Sequence, residues 1–509
     1  MNSRPIFPFF VIPAFAGMTG WRTKTAALAL PVLALAGCTV GPDFARPEAA
    51  KIERYTASGV TLPSAGIADP QQRLDVGQTV AAEWWTLFRS AALDQTLALA
   101  LAASPTLDTA RATLAQAREA VAAAAGAYYP QLDIDAGASR ERSVTTRGAA
   151  AATIVTNVFS IGPAVSYAPD VFGGIHRFVE QQSALAEVQR CELAAAYLSL
   201  TGNAVTQAIT IALSREQIVA AREILSADEK NLDLVRISFE AGKAARTDVL
   251  SAESQLEGDQ TLLPPLRQQL SVARHALAVL AGKAPAEWSP PDFDFANLDL
   301  PLDLPVALPS ALVRERPDIL AAEAELHAAS AAIGVATAQL YPNVTLSAAW
   351  TQQSASMGTL FDSSNGLWSV VSGATAPLFH GGTLEAERQQ AIAAFAAQMG
   401  TYRQTVLLAL GQVADVLRAL QHDAELLAVQ RRALDTAQDS LALTQDSYAA
   451  GQASLLQVLD AQRLYAQARL GYAKAKGQRY LDTAQLFEAM GGAWRDWKDP
   501  AMTVGAAAP

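Results

Sequence analysis

Five histidines (His176, His275, His327, His380 and His422) and two cysteines (Cys38 and Cys191) are the side chains of this 509-residue chain best suited to metal or nucleophile chemistry. Their spacing supports neither. No two histidines form an HxxxH pair, and no cysteine joins them at ligand spacing, so no metal site is expected. There is no GxSxG elbow with Ser, His and Asp in order, and no GxxxxGK[ST] loop, so neither covalent hydrolysis nor nucleotide hydrolysis has its residues. Two cysteines so far apart imply no disulfide framework. Cys38 alone has a chemical context. It closes Leu35-Ala36-Gly37-Cys38 after the apolar run from Ala26 to Ala36, with Arg22 and Lys24 before it. That is a secretory signal, too short for a permanent span, ending in a lipobox whose cysteine is acylated and becomes the first mature residue. Residues 1–37 are thus expected to be removed. Met18 is the expected translation start, because the residues before it do not read as a signal. A covalent lipid on Cys38 is the only attached group expected, and no cofactor is. More than one acyl chain makes such an anchor stable.

The elements behind this anchor are written twice. Ser238–Leu250, SFEAGKAARTDVL, returns as SYAAGQASLLQVL at Ser447–Leu459, 209 residues later. Ser104–Leu132 corresponds to Arg316–Val344, APDVFGG at Ala168 to APLFHGG at Ala376, and Gly282 to Gly491. Landmarks kept in order over so long a period mean a tandem duplication of one unit of roughly 200 residues. The length also excludes a single ordinary core. The formal charge of −11 and the lack of clustered Lys and Arg exclude a nucleic-acid partner.

Each repeat switches period. An alanine-rich, breaker-free stretch follows Pro105 or Pro317 and reads as a helix with proline in its first turn. Tyr-Pro (129–130, 341–342) stops it. Alternation follows, in Leu132, Ile134 and Ala136, then in Val344, Leu346, Ala348 and Trp350, which predicts strands with one apolar face. Second strands are expected at Val155–Tyr167 and Leu367–Ala376, giving one hairpin per repeat. Val413, Leu420, Leu427, Leu434, Leu441 and Tyr448 then recur every seven residues, with Val406, Leu410 and Leu417 on the alternate seam. Ile211, Ile218, Leu225, Leu232 and Phe239 match them one repeat earlier. A sustained heptad predicts long helices in coiled-coil packing. Gly242 and Gly451 are placed to supply left-handed turns at the tips of two helical hairpins. Leu193–Leu213 carries no charge over 21 residues, but its Ser, Thr, Asn and Gln make it a heptad helix rather than a membrane span.

The expected layout is a signal at 1–37, a lipidated segment at 38–90, a first repeat at 91–283 with its hairpin at 131–168, a linker at 284–309, a second repeat at 310–493 with its hairpin at 343–377, and a tail at 494–509. Four two-faced strands behind an exported, lipidated cysteine suggest a membrane barrel, yet four strands cannot close one, so the chain must oligomerise.

The start CTVGPDFARP (Cys38–Pro47), EWWTLFRSAALDQTLALALAASPTLDTARA (Glu83–Ala112), both Tyr-Pro turns and the SYAAG…VLDAQ tip resemble the outer-membrane factor lipoproteins of bacterial efflux systems, the TolC-like family, from Cys38 to about Trp494. The resemblance implies a mainly α fold with a membrane β-hairpin pair: a TolC-like tandem duplication whose long coiled-coil hairpins form an α-barrel and whose four strands enter a trimeric, twelve-stranded β-barrel. It implies a homotrimer working with a periplasmic adaptor and an inner-membrane pump, and Thr39 after the cysteine permits sorting to the outer membrane. It implies a passive duct gated at its periplasmic tip. Carried over, Asp460 falls on the family's acidic aperture ring, whose second acid is replaced here by Gln457. Tyr448 matches the gate tyrosine, with Thr247 and Asp248 on the receiving side, and Ala453 replaces an expected basic residue. Asp460 is otherwise a solvated helix carboxylate, and Tyr448 a seam residue that only packs. Two other functions fit some features. A periplasmic coiled-coil adaptor lipoprotein predicts a single hairpin flanked by small β domains, and a lipid-anchored envelope enzyme predicts a catalytic constellation.

Overall fold

The computed structural model describes residues 39–48, 52–57, 59, 71–147, 150–492 and 494–499. Cys38 and the signal segment lie outside the described residues. The chain divides into two compact units, one built from Pro130–His176 and Thr337–Leu378, the other from the helical remainder.

The first unit is a four-stranded antiparallel sheet. β2 (Gln131–Arg147) pairs with β3 (Ala150–Tyr167), and β5 (Asn343–Ser354) with β6 (Gly366–Thr375), where β1 (Arg73–Val76) and β4 (Asp303–Val306) belong to a separate small sheet. β3 and β5 join the hairpins, so the order is β2-β3-β5-β6 with β2 and β6 at the edges. The first strand of each hairpin, β2 or β5, begins just after the proline of a Tyr-Pro pair, Pro130 or Pro342, and alternates as a half-buried strand must. Ile134 is 75% and Trp368 78% exposed. Apolar side chains so bare on a sheet face need lipid or another chain to cover them. The first hairpin is longer than the alternation foretells, running back to Arg147 and Ala150. About 9–11 residues cross a bilayer as a tilted strand, and the excess in β2 carries Arg140, Glu141 and Arg142. Those charges break the two-faced pattern, so the sequence hides the extension.

The helical unit contains α1 (Ala91–Ala103), α2 (Pro105–Ala125), α3 (Gly174–Glu240), α4 (Arg246–Gln260), α5 (Leu263–Leu280), α6 (Pro309–Glu315), α7 (Pro317–Ala338), α8 (Thr383–Ala449) and α9 (Leu455–Ala489). α3 and α8 are 67 residues each, which at ~1.5 Å per residue is about 100 Å. Val413, Leu420, Leu427, Leu434 and Leu441 are all buried, as are Ile211, Ile218, Leu225 and Leu232. Phe239 departs from the seam at 39% exposure. The return arms differ. α9 runs unbroken, whereas the matching stretch of the first repeat is split into α4 and α5, because Pro264 and Pro265 have no amide hydrogen for the ladder.

Leu193, Tyr197, Ile209 and Ile211 are fully buried, so the uncharged segment of α3 is core. α7 is the one described helix long and apolar enough to cross a membrane, but half of its apolar window is buried, with Ile319 and Leu326 at 0% exposure. It is a core helix here. Trp84, Trp85 and Phe88 of the EWWTLF stretch form a one-turn 3-10 helix at the centre of the core, with Trp84 5.5 Å from Phe487 and Tyr197 stacked on Trp497 at 4.1 Å. The segment read as a linker is packed rather than loose. Phe293, Leu298, Leu304 and Val306 are buried, and β4 (Asp303–Val306) pairs in parallel with β1 (Arg73–Val76). Its prolines disguise a strand whose pairing partner lies far away in sequence.

Candidate gate at the hairpin tips

The two tips are built by the same hydrogen bonds. At the first, Lys243 N donates to Ser238 O at 2.8 Å and Gly242 N to Phe239 O at 2.9 Å; at the second, Gln452 N donates to Ser447 O at 2.8 Å and Gly451 N to Tyr448 O at 2.9 Å. Gly242 and Gly451 stand at φ +71° and +74°, the left-handed geometry that ends a helix without Cβ strain.

The helices that leave the tips are capped differently. Ser454 heads α9: its Oγ accepts from Gln457 N at 3.4 Å, and its own N donates to Gln457 Oε1 at 2.7 Å, a reciprocal capping box. At the first tip Asp248 Oδ2 accepts from Ala245 N at 2.9 Å. Asp248 and Gln457 are duplicates of one another, 209 apart. The residue that stands where the ring pattern has its second acid is therefore used as a helix cap, a role that an amide fills as well as a carboxylate.

Tyr448 packs against a small apolar cluster of Leu232, Val235, Val249, Ala252 and Leu455, which joins the two tips within one protomer. Among the described residues its hydroxyl makes no hydrogen bond inside the protomer. Thr247 is exposed and Asp248 half-buried one turn before Ala252. The structure thus brings Tyr448 to the first tip without a bond to Asp248. Asn231 Nδ2 donates to Gln462 Oε1 at 3.3 Å, a buried polar link between the hairpins that the sequence did not reveal. Asp460 is exposed and pairs with Arg463 at 2.7 Å. That i, i+3 spacing places a cation beside Asp460. A groove of about 1420 Å³ opens beside Tyr448, with Arg222, Lys230 and Lys243 on its wall and Glu223 as the opposing charge. No described cluster of His, Cys, Asp or Glu has the arrangement of a metal site.

The outer membrane efflux protein family matches residues 96–283 and 308–492, one stretch for each repeat. The chain belongs to this family. It is 31% identical over 442 residues to the pyoverdine export outer membrane protein OpmQ of Pseudomonas aeruginosa, covering 84% of this chain and 92% of that one. Nodulation protein T of Rhizobium leguminosarum bv. viciae is 29% identical over 489 residues, covering 92% and 93%. Among solved structures, the outer-membrane channel OprN superposes with a TM-score of 0.81 at 28% identity, over 90% of this chain and all of the other. The chain is an outer-membrane efflux channel of TolC-like fold that extends into the periplasm, the exit duct of an efflux pump. An adaptor is ruled out in the same step, since two hairpins and two strand pairs are present where an adaptor has one hairpin.

Proposed function

We propose that three copies of this chain close into one duct, lipid-anchored through Cys38, that receives substrate from an inner-membrane pump through a periplasmic adaptor and is closed at rest by its hairpin tips. The observation that carries the reading is the sheet: four strands, an uncovered apolar face, and two edges, β2 and β6, with no partner strand among the described residues. In lipid every backbone group must be paired, so those edges have to meet edges of other copies. The reading gives the chain no catalytic step; energy and selectivity belong to the pump.

At the tips, three copies of Asp460 form a ring of carboxylates that favours cations, tempered by Arg463 beside each. Tyr448 holds the second hairpin against the Thr247–Asp248 side of a neighbouring tip. The test is conductance of the purified protein in planar bilayers. Asp460→Ala is expected to lower cation preference with the channel otherwise intact, and unchanged selectivity would remove Asp460 from the aperture. Absence of any channel under all conditions would remove the duct itself.

A further inference from the structure

The first hairpin sorts its charges by face. From Gln131 to Val144, β2 holds five charged side chains, all exposed. The acids Asp133, Asp135 and Glu141 share one face with Gly137, Ser139 and Ser143, whereas Arg140 and Arg142 share the other with Leu132, Ile134, Ala136 and Ala138, because successive strand residues point to opposite sides. β3, β5 and β6 carry no charged residue. We infer that Arg140 and Arg142 bind the phosphate groups of lipopolysaccharide, the glycolipid of the outer leaflet. The inference rests on the reading of the apolar sheet face as the lipid face of the duct, and adds a ligand to it.

The strand count sets the depth of the pair. The chain enters β2 directly after α2 and its Tyr-Pro stop, on the side of the periplasmic helices, so the far end of the hairpin, where Arg147 pairs with Ala150, is the outer end. About 9–11 residues of a tilted strand cross a bilayer, and Arg140 and Arg142 are the tenth and twelfth residues of β2. A cation on the lipid face is costly at the midplane and tolerated near the interface. An outward run of apolar residues that ends in two arginines therefore puts both guanidinium groups at the level of the outer headgroups. Neither arginine has a carboxylate partner among the described residues, and Glu141 between them faces the other way.

Two residues apart on one strand face, the positions lie about 7 Å from each other, within reach of a single phosphate or of two on one headgroup. A guanidinium meets phosphate with two parallel N–H donors, a more directional contact than an ammonium makes. Asn157 stands opposite Arg140 on β3, exposed on the same face, and offers an amide N–H to the same ligand. The duplication marks the pair as particular to one hairpin. Counted from Tyr129 and Tyr341, the equivalents of Arg140 and Arg142 are Gln352 and Ser354, and the second hairpin has no Lys or Arg. The site occurs once per chain rather than as a basic girdle.

The test is titration of lipid A, the phosphorylated anchor of lipopolysaccharide, into the detergent-purified protein, with bound lipid counted by native mass spectrometry. The parent is expected to bind lipid A in preference to phosphatidylethanolamine. Arg140→Gln/Arg142→Gln is expected to weaken lipid A binding by about tenfold or more, Arg140→Lys/Arg142→Lys to restore part of it, and Glu141→Gln to leave it as in the parent. Equal binding by the parent and the Gln double variant, or equal binding of phosphatidylethanolamine by the parent, overturns the site. Displacement of lipid A by millimolar inorganic phosphate overturns the lipid as the occupant. The lipid-face reading has its own check, a polarity-sensitive dye on Ile134→Cys in lipid vesicles; Cys191 is fully buried and does not take the dye. A dye that reports water fails that reading, whereas one that reports hydrocarbon while lipid A binding ignores the arginines fails the phosphate site alone.

Discussion

Asp423 and Asp482 face each other between α8 and α9, with Asp482 buried and accepting from Gln478 Nε2 at 3.0 Å. Asp423 Oδ2 has no donor. Burial and the neighbouring Asp482 carboxyl push the Asp423 pKa up to about 8, against a smaller opposing pull from Arg479. A proton held between the two carboxyls supplies the missing donor. The first repeat has a similar pair, Asp228 with Asp259, whose outer member accepts from Gln255 at 2.7 Å, and Asp228 is likewise raised by burial first and by Asp259 second. The sign follows from proton linkage. A carboxyl held above its unfolded value near 4 binds more protons folded than unfolded, so its contribution is fully present below about pH 4 and is lost as pH rises toward about 8. Asp423→Asn keeps a donor at every pH. Thermal melts from pH 5 to pH 9 are expected to fall in the parent and to fall less in the variant, in which Asp228 still titrates, with the variant ahead by about 1–3 kcal/mol at the alkaline end, the usual cost of an unsatisfied buried polar group. Parallel curves would mean that no shared proton is present.

At the level of elements, Gly162 of β3 is the described sheet glycine with the least room for a side chain. A Cβ built there would lie 1.9 Å from the Trp350 carbonyl oxygen of β5, and backbone cannot give way as a side chain can. Gly162→Val is therefore expected to separate the two hairpins and leave protein that fails to insert. The check is protease resistance and heat-modifiable migration of the outer-membrane fraction, and a variant that matches the parent in both would show that the strands absorb the clash. Nothing in the sequence marks Gly162 as special, since its neighbour across the junction is nearly 190 residues away. The long helices were legible because heptads are local, and the strands because Tyr-Pro and Gly-Gly bound them. What stayed hidden depended on distant partners: the β1–β4 pair, the packed Pro-rich segment and the acidic pairs on separate helices. At the tips, Gly242 and Gly451 and the Asp460–Arg463 spacing could be read directly. The capping roles of Asp248 and Gln457 could have been, because Ser454-x-x-Gln457 has the capping-box spacing.

For the molecule as a whole, two devices hold it at the membrane, the sheet and the acyl group proposed on Cys38. They are unequal. More than one acyl chain makes a stable anchor, yet one short of the near-irreversible hold of a spanning element, whereas a closed barrel cannot leave without exposing its apolar face and its backbone to mismatched surroundings. Cys38→Ser is expected to lose the acyl mass from the mature protein while the protein remains in the carbonate-washed outer-membrane pellet. Release by the wash would mean that the lipid, and not the sheet, is the principal attachment.

The two return arms differ in one further respect that matters for motion. In α9 each turn is bonded to the next, so a push at the second tip travels along a continuous rod toward Phe487 and the aromatic core. In the first arm Thr261 and Leu262 bond only three residues back, to Gly258 and Asp259, and the two prolines that follow have no amide hydrogen to offer. Load applied at the first tip is spent in bending that joint. Each chain thus carries one stiff and one compliant arm, and a displacement shared by its two tips resolves into two unequal motions.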